Sequence, residues 1–192
     1  MTLTLPQFGG GGFFSGVAIV LALLLTPAYA QQPVPEPAGY WTGPMQGAVP
    51  ATIAGGKVVT TAELASLIKT EMPVLVDVGP LPHKPQNLSA AVWIPPPHRT
   101  IPYSVWLPGV GKGEIAPEID AWYRAWLKSL TDGDPSKPIA IFCHPNCWGS
   151  WNAAKRAISY GYKAVHWYPD GIEGWQDAGH ETQVVKAEAP PS

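Results

Sequence analysis

The feature that most restricts the fold is a short apolar run, Ile139–Phe142, which leads into a cysteine-containing loop and then into a helical pattern. The loop, residues 143–148, is Cys-His-Pro-Asn-Cys-Trp. Beyond it, apolar residues recur on one helical face: Trp151, Ala154, Ala157 and Ile158. A thiol at the strand end therefore faces a helix N-terminus, where unpaired N–H groups and the helix dipole favour a thiolate.

Further strand and helix patterns alternate along the chain. Val58 and Val59 precede a Thr60–Glu63 capping box and a helix whose apolar face carries Leu64, Leu67 and Ile68. Residues 74–78 form an apolar run interrupted only by Asp77, which is typical of a strand buried on both faces of a parallel sheet. The order predicts an α/β domain with a central, mostly parallel sheet flanked by helices.

The remaining segments complete this pattern. Short strands are predicted at 105–107 and 164–168, a helix from Pro117 to about Leu130, and a last short helix around Trp175. Trp122, Trp126 and Leu130 recur every four residues, so we expect them to face the core. The proline-rich stretch 79–102 predicts a long covering loop without regular structure.

The N-terminal thirty residues contain no Asp, Glu, Lys or Arg. A hydrophobic run at 13–25 and the small-x-small triplet at 28–30 predict a secretory signal peptide over 1–30, although no basic residue precedes the run; an uncleaved anchor is the alternative. We predict three further segments: a Pro/Gly-rich arm over 31–54 that docks through Tyr40 and Trp41, a folded domain over 55–184, and a disordered tail over 185–192. Export predicts a periplasmic location, with membrane contact only through the signal segment.

Both cysteines of the chain lie in the 143–148 loop. Cys143 is the predicted nucleophile, and Cys147 is close enough to resolve a modified Cys143. One alternative is a permanent disulfide between them, which the chain-entropy model credits with only about 2 kcal/mol. Another is Cu(I) held by the two thiolates with His144 or His166. We assign no metal and no cofactor, and the net charge of −2 gives no basic surface for nucleic acid.

Other residues around the loop are candidates for binding or for organising it. We assign catalytic roles to Cys143, Cys147 and Trp148. Binding or loop-organising roles go to five further residues: His144, Asn146, Trp151, Asp77 and Asp170. Tryptophans 148, 151, 167 and 175 either line a flat pocket over the thiols or pack between helices and sheet, and packing is the interpretation we favour for all but Trp148.

The order of these pieces resembles a rhodanese-like domain between about residues 58 and 182. The resemblance implies that Cys143 is the nucleophile of the active loop. Rhodaneses carry an arginine five residues after that cysteine, where this chain has Trp148, and another after the Val-Asp-Val strand, where it has Gly79. An indole offers one N–H and no charge, so thiosulfate sulfurtransfer and phosphatase chemistry are not expected.

A second resemblance is to a small exported family named for its CXXCW motif. It is carried by the segments 143–148, 151–156 and 167–171. That family is associated with pyrroloquinoline quinone (PQQ)-dependent alcohol catabolism. The resemblance implies an accessory protein with thiol-redox or sulfur-transfer chemistry and, as partner, a PQQ-dependent alcohol dehydrogenase or its cytochrome c. The alternative is a non-catalytic module that binds copper or assists quinoprotein or cytochrome assembly around a structural disulfide.

Overall fold

The computed structural model describes residues 1–2, 33–89 and 91–191. The predicted signal peptide and its cleavage site lie outside the described residues, apart from the first two positions. The chain from residue 33 onward forms a compact unit. Its strands are β1 Lys57–Val58, β2 Val74–Asp77, β3 His98–Thr100, β4 Val105–Trp106, β5 Ile139–Phe142, β6 Val165–Tyr168 and β7 Gln183–Val185, and its helices are α1 Thr61–Thr70, α2 Pro117–Leu130, α3 Trp148–Ser159 and α4 Gly171–Asp177.

Five of the strands form one parallel sheet in the order β1-β6-β5-β2-β4. The central strand β5 is buried along its whole length, as its apolar run predicts. At its last residue, Phe142 pairs with Asp77 on one side and Tyr168 on the other. The loops that follow β2, β5 and β6 therefore leave the sheet along one edge. The predicted α/β fold with a central parallel sheet and flanking helices is confirmed.

The helices begin where local chemistry favours it. The predicted capping box of α1 is present: Glu63 N–H donates to Thr60 Oγ1, and Thr60 N–H donates to Glu63 Oε2 at 2.8 Å. Pro117 opens α2. At the end of α3, Gly161 has φ +99°, a left-handed conformation that glycine adopts without strain.

The predicted stripe of α2 packs against the core, but the most deeply buried residues of this helix lie one position further along the chain. Tyr123 and Leu127 are fully buried, whereas Trp122, Trp126 and Leu130 are only partly buried at the margin of the core. Residues 123 and 127 are also four apart, so they form a neighbouring stripe about 100° further round the helix. The two indoles instead pack edge to face with each other, with ring centroids 6.5 Å apart.

The stretch 79–102 and the C-terminal tail also differ from the sequence expectation. The proline-rich stretch contains β3, which pairs antiparallel with β7. After β7, Ala187 bridges to Trp106 and Glu188 N–H donates to Trp106 O at 3.0 Å. The first residues of the segment assigned as a disordered tail are thus held by backbone hydrogen bonds, which no side-chain periodicity reveals. Among the described residues, no helix has the length and apolar character needed to cross a bilayer.

Candidate functional site

The two cysteines meet where β5 ends and α3 begins. Cys143 directly follows β5 and is completely buried, and Cys147 is the N-cap residue of α3 with 5% of its surface exposed. Both are free thiols, and the Cys143 thiol donates to His144 O at 3.6 Å and to Cys147 O at 3.8 Å. The backbone around them is fixed because Ile172 N–H donates to Cys143 O at 2.9 Å and Ser150 Oγ donates to Cys147 O at 3.2 Å.

The two thiols of the loop have different pKa values. The neighbouring Cys143 thiol is the main cause that lowers the pKa of Cys147 to about 6, and the N–H groups of Gly149, Ser150 and His144 lower it further against the cost of burial. Burial, followed by the interaction with Cys147, raises the pKa of Cys143 well above its usual range. Of the two thiols, Cys147 is therefore the one whose surroundings favour ionisation.

The sequence analysis gave the reactive thiolate to Cys143, whereas the structure places Cys147 as the N-cap residue of α3. The helix N-terminus does favour a thiolate, as predicted, but the sulfur it serves is that of the N-cap residue. A Cβ built on Gly149 would lie only 3.3 Å from Cys147 Sγ, which shows how closely the first turn of α3 approaches this atom. Cys143 has no exposed surface to offset the cost of charging it.

Two histidine–carboxylate pairs flank the loop. His144 Nδ1 lies 2.8 Å from Glu173 Oε1 on α4, and His98 Nε2 lies 2.6 Å from Oδ2 of the fully buried Asp77. The His98 ring also stacks on Trp106, with centroids 3.7 Å apart. Asp77 accepts a second hydrogen bond, from Gly79 N–H at 2.7 Å. Asp77 therefore organises the end of β2 and orients His98.

Gly79 explains why no arginine follows β2. A Cβ at this position would lie 3.0 Å from Asp77 Oδ1, 3.4 Å from His98 Cε1 and 3.5 Å from His144 Nε2. A side chain here would crowd the Asp77 carboxylate first and would then lie against both imidazoles. The space next to the thiol loop is thus taken by histidines, each held by a carboxylate.

His98 and Glu173 were missed by the sequence analysis. Neither belongs to a motif: His98 follows three consecutive prolines, and Glu173 lies within the short helix α4. The contact of residue 77 with residue 98 depends on how the loop between them folds back. The one indication in the sequence was Asp77: an acid at the end of a buried strand needs a hydrogen-bonding partner, and here that partner is His98.

The other predicted site residues have different surroundings. Trp148 and Trp151 are buried, so Trp148 does not shape an open pocket. Asn146 is exposed and adopts φ +54°, a conformation that asparagine tolerates better than most residues. Asp170 is exposed and interacts with Thr61 at 3.5 Å, so the structure does not bring it to the thiols.

Trp148 instead anchors the N-terminal arm. Its ring stacks on Trp41 with centroids 4.3 Å apart and planes 13° apart, and it meets Trp151 edge to face. Asn152 accepts a hydrogen bond from Trp41 N–H at 2.8 Å and donates one to Trp41 O at 2.9 Å. The side chain expected to act in catalysis thus forms part of the packing between α3 and the arm. Trp167 and Trp175 are buried as well, which agrees with packing.

Within the described part of the chain, no three His, Cys, Asp or Glu side chains form a cluster that could hold a metal ion. His166, which the copper alternative could have used, is half-buried on β6, and burial lowers its pKa. His144 has its Nδ1 engaged by Glu173. The described geometry therefore offers no support for the copper alternative.

Strand end, paired thiols and helix N-terminus together define an α/β protein of the thiol-dependent class. A family model described as the rhodanese-like domain matches residues 60–178. The chain belongs to the rhodanese-like domain family, which supports a sulfur-transfer type of function. A comparison with curated proteins finds no match.

Solved structures with the same fold have low sequence identity. The BH2092 protein from Bacillus halodurans is 23% identical over 67% of this chain and 77% of its own, with a TM-score of 0.43. The human single-domain sulfurtransferase TSTD1 is 22% identical over 62% of this chain and 95% of its own, with a TM-score of 0.40. The polysulfide-sulfur transferase homodimer from Wolinella succinogenes is 17% identical over 68% and 80%, with a TM-score of 0.44.

Proposed function

We propose that this protein carries out thiol-redox or sulfur-transfer chemistry with Cys147 as the attacking thiolate and Cys143 as the resolving thiol. The observation that carries the proposal is the pair of buried free thiols between the end of β5 and the N-terminus of α3, with Cys147 as the N-cap residue. An attacking thiol is most effective when it is ionised near ambient pH, and the lowered pKa of Cys147 meets that condition.

The chemistry is an exchange at a sulfur–sulfur bond of the donor. Cys147 Sγ forms a bond to one donor sulfur while the donor S–S bond breaks, and the second donor sulfur leaves as a thiolate. The Cys143 thiol then loses its proton, bonds to Cys147 Sγ and releases the bound sulfur as a thiol, or as hydrogen sulfide from a sulfane donor. The dithiol loses two electrons, the donor gains them, and an external thiol restores the dithiol.

The test is intact-mass analysis of the reduced protein after incubation with an organic disulfide. We expect wild type to lose two hydrogens as the internal disulfide closes. The Cys143→Ser variant should stop at a mixed disulfide on Cys147, and Cys147→Ser should form none. An adduct on Cys143 in Cys147→Ser, with none in Cys143→Ser, would mean that the roles are reversed. Failure of all three proteins to react would contradict the proposal.

We further propose that the protein is exported to the periplasm and assists PQQ-dependent alcohol oxidation, in contact with the dehydrogenase or its cytochrome c. The support is the absence of charged side chains in the N-terminal thirty residues and the family resemblance carried by the Cys-x3-Cys-Trp loop. N-terminal sequencing of protein from a periplasmic fraction should begin at Gln31. Growth of a strain lacking the protein should be slower on ethanol but unchanged on succinate, and equal growth on both would contradict the accessory role.

A further inference from the structure

The arm lies directly on the thiol loop. Trp148 N–H donates to Met45 O at 2.9 Å, and Gly47 N–H donates to Asn146 O at 2.9 Å. Between these two bonds, Gln46 pairs with Cys147 as an antiparallel bridge. The segment 45–47 thus runs antiparallel to residues 146–148, and Gln46 lies opposite Cys147.

This contact changes what the helix N-terminus can bind. The first N–H groups of a helix are normally available to an anion. Here the N–H of Trp148 is occupied by the arm, and those of Gly149 and Ser150 face the cysteine sulfur. Within the described loop and the first turn of α3, these three N–H groups therefore already have hydrogen-bond partners before a sulfur-containing substrate binds.

The basic side chains of α3 are committed in the same way. Lys155 Nζ donates to Pro37 O at 2.9 Å, which ties it to the arm. Arg156 is buried and donates to Val110 O at 3.1 Å and Gly113 O at 2.7 Å. Neither cation of this helix is directed at Cys147, so the described surroundings of the thiol supply little attraction for an anion.

We infer that the arm segment 41–47 is a specificity element that makes the thiol site select uncharged organic sulfur donors over small sulfur oxyanions such as thiosulfate. The inference rests on the proposed function and names its substrate class. An oxyanion approaching Cys147 would bring charge next to a thiolate while the helix donors that could offset it are engaged. An uncharged disulfide brings no such charge.

Two glycines allow the arm to be displaced without touching the site. A Cβ on Gly113 would lie 2.1 Å from Trp41 O, and one on Gly43 would lie 2.6 Å from the Trp41 ring. Gly113→Ala and Gly43→Ala should therefore push Trp41 away from Trp148. Gly39 lies on the same arm with nothing within 4 Å of its Cβ position, so Gly39→Ala is a matched control.

The experiment compares iodoacetamide with iodoacetate, two alkylating reagents that differ mainly in charge, by peptide mapping of Cys147. In wild type we expect the rate ratio of the neutral to the anionic reagent to exceed that of the urea-unfolded chain by about tenfold, equivalent to ~1.4 kcal/mol. Gly113→Ala should return it to within about threefold of the unfolded value. Gly39→Ala should keep the wild-type ratio.

Each other outcome overturns the inference. A wild-type ratio equal to the unfolded one means that the site does not discriminate, and no reaction with either reagent means that it is closed rather than selective. An unchanged ratio in both Gly113→Ala and Gly43→Ala means that the arm is not responsible. The second variant serves if circular dichroism shows that Gly113→Ala does not fold. If the ratios behave as expected but an organic disulfide leaves the dithiol unchanged, the proposed function fails while the charge selection stands.

Discussion

Each of the two cysteines depends on the other. The Cys143 thiol, held by hydrogen bonds to His144 O and Cys147 O, lowers the pKa of Cys147, and Cys147 in turn raises the pKa of Cys143. This arrangement allows one thiolate in a nearly dry site, because a buried charge needs hydrogen-bond donors to compensate for lost water. The resolving thiol is therefore also part of what activates the attacking one.

The dependence predicts a pH effect. In wild type, the rate of Cys147 alkylation by iodoacetamide should reach half its maximum at about pH 6. Cys143→Ala removes the main donor, so the pKa of Cys147 should rise and its rate at pH 7 should fall about fivefold as the thiolate fraction decreases. Cys143→Ser retains an O–H donor and should stay close to wild type. A wild-type half-maximum near the pH of an ordinary thiol would contradict the assignment of the charge to Cys147.

The residue types alone could predict thiol chemistry but not which of the two cysteines ionises more readily. Two cysteines at a strand end and helix start mark the site in the sequence. Which sulfur ionises depends on burial and on the direction of three N–H groups, and these are properties of the folded loop. Trp148 illustrates the same limit: its position next to Cys147 suggested catalysis, but its ring faces Trp41.

At the level of elements, α1 has the clearest local origin. The Thr60 side chain accepts a hydrogen bond from the backbone N–H of Glu63, and the Glu63 side chain accepts one from the backbone N–H of Thr60. Glu63 also lies in the first turn, where the helix dipole favours a negative charge. These contacts lower the pKa of Glu63. The stabilisation is therefore present above the carboxyl's unfolded pKa and is lost as the pH falls through its lowered folded value.

Thr60→Ala should reduce the free energy of unfolding by about 1 kcal/mol at pH 7, as measured by urea denaturation. The reduction should be smaller at a pH where Glu63 is protonated, because the hydrogen bond that the Thr60 hydroxyl donates to Glu63 Oε2 at 3.0 Å is weaker to a neutral carboxyl group. Thr70→Ala, at the other end of α1, is the control and should show no such pH dependence. Equal losses for Thr60→Ala at neutral and acid pH would show that the carboxylate does not contribute.

The elements were predictable where a local pattern determines them. Capping residues, an N-terminal proline and unbroken apolar runs placed α1, α2 and β5 close to their observed bounds. The two-stranded sheet of β3 and β7 was not predictable, because its partners are far apart in sequence and lie among prolines and polar residues. The predicted stripe of α2 does pack against the core, but its tryptophans remain partly exposed because such large side chains often lie at the edge of a core.

The whole molecule differs from a bare sheet-and-helix domain by its arm. Proline and glycine content predicted an extended segment, and extended segments are often linkers. Here it is part of the core: Val34, Trp41, Met45 and Val49 pack against the central hydrophobic cluster, and Trp151 Nε1 donates to Thr52 O at 3.1 Å. The arm therefore folds with the domain and contributes to its stability.

Trp41→Ala tests this cooperation. Loss of the stack on Trp148 and of the buried ring area should lower the free energy of unfolding by about 2 kcal/mol, less than for a fully buried tryptophan because Trp41 is only partly buried. Urea unfolding followed by circular dichroism should remain a single transition at a lower midpoint. Tyr103→Ala, where the ring is 89% exposed, should change stability by less than about 0.5 kcal/mol. A Trp41→Ala protein as stable as wild type would show that the arm only rests on the domain, and that folding of the thiol loop does not depend on it.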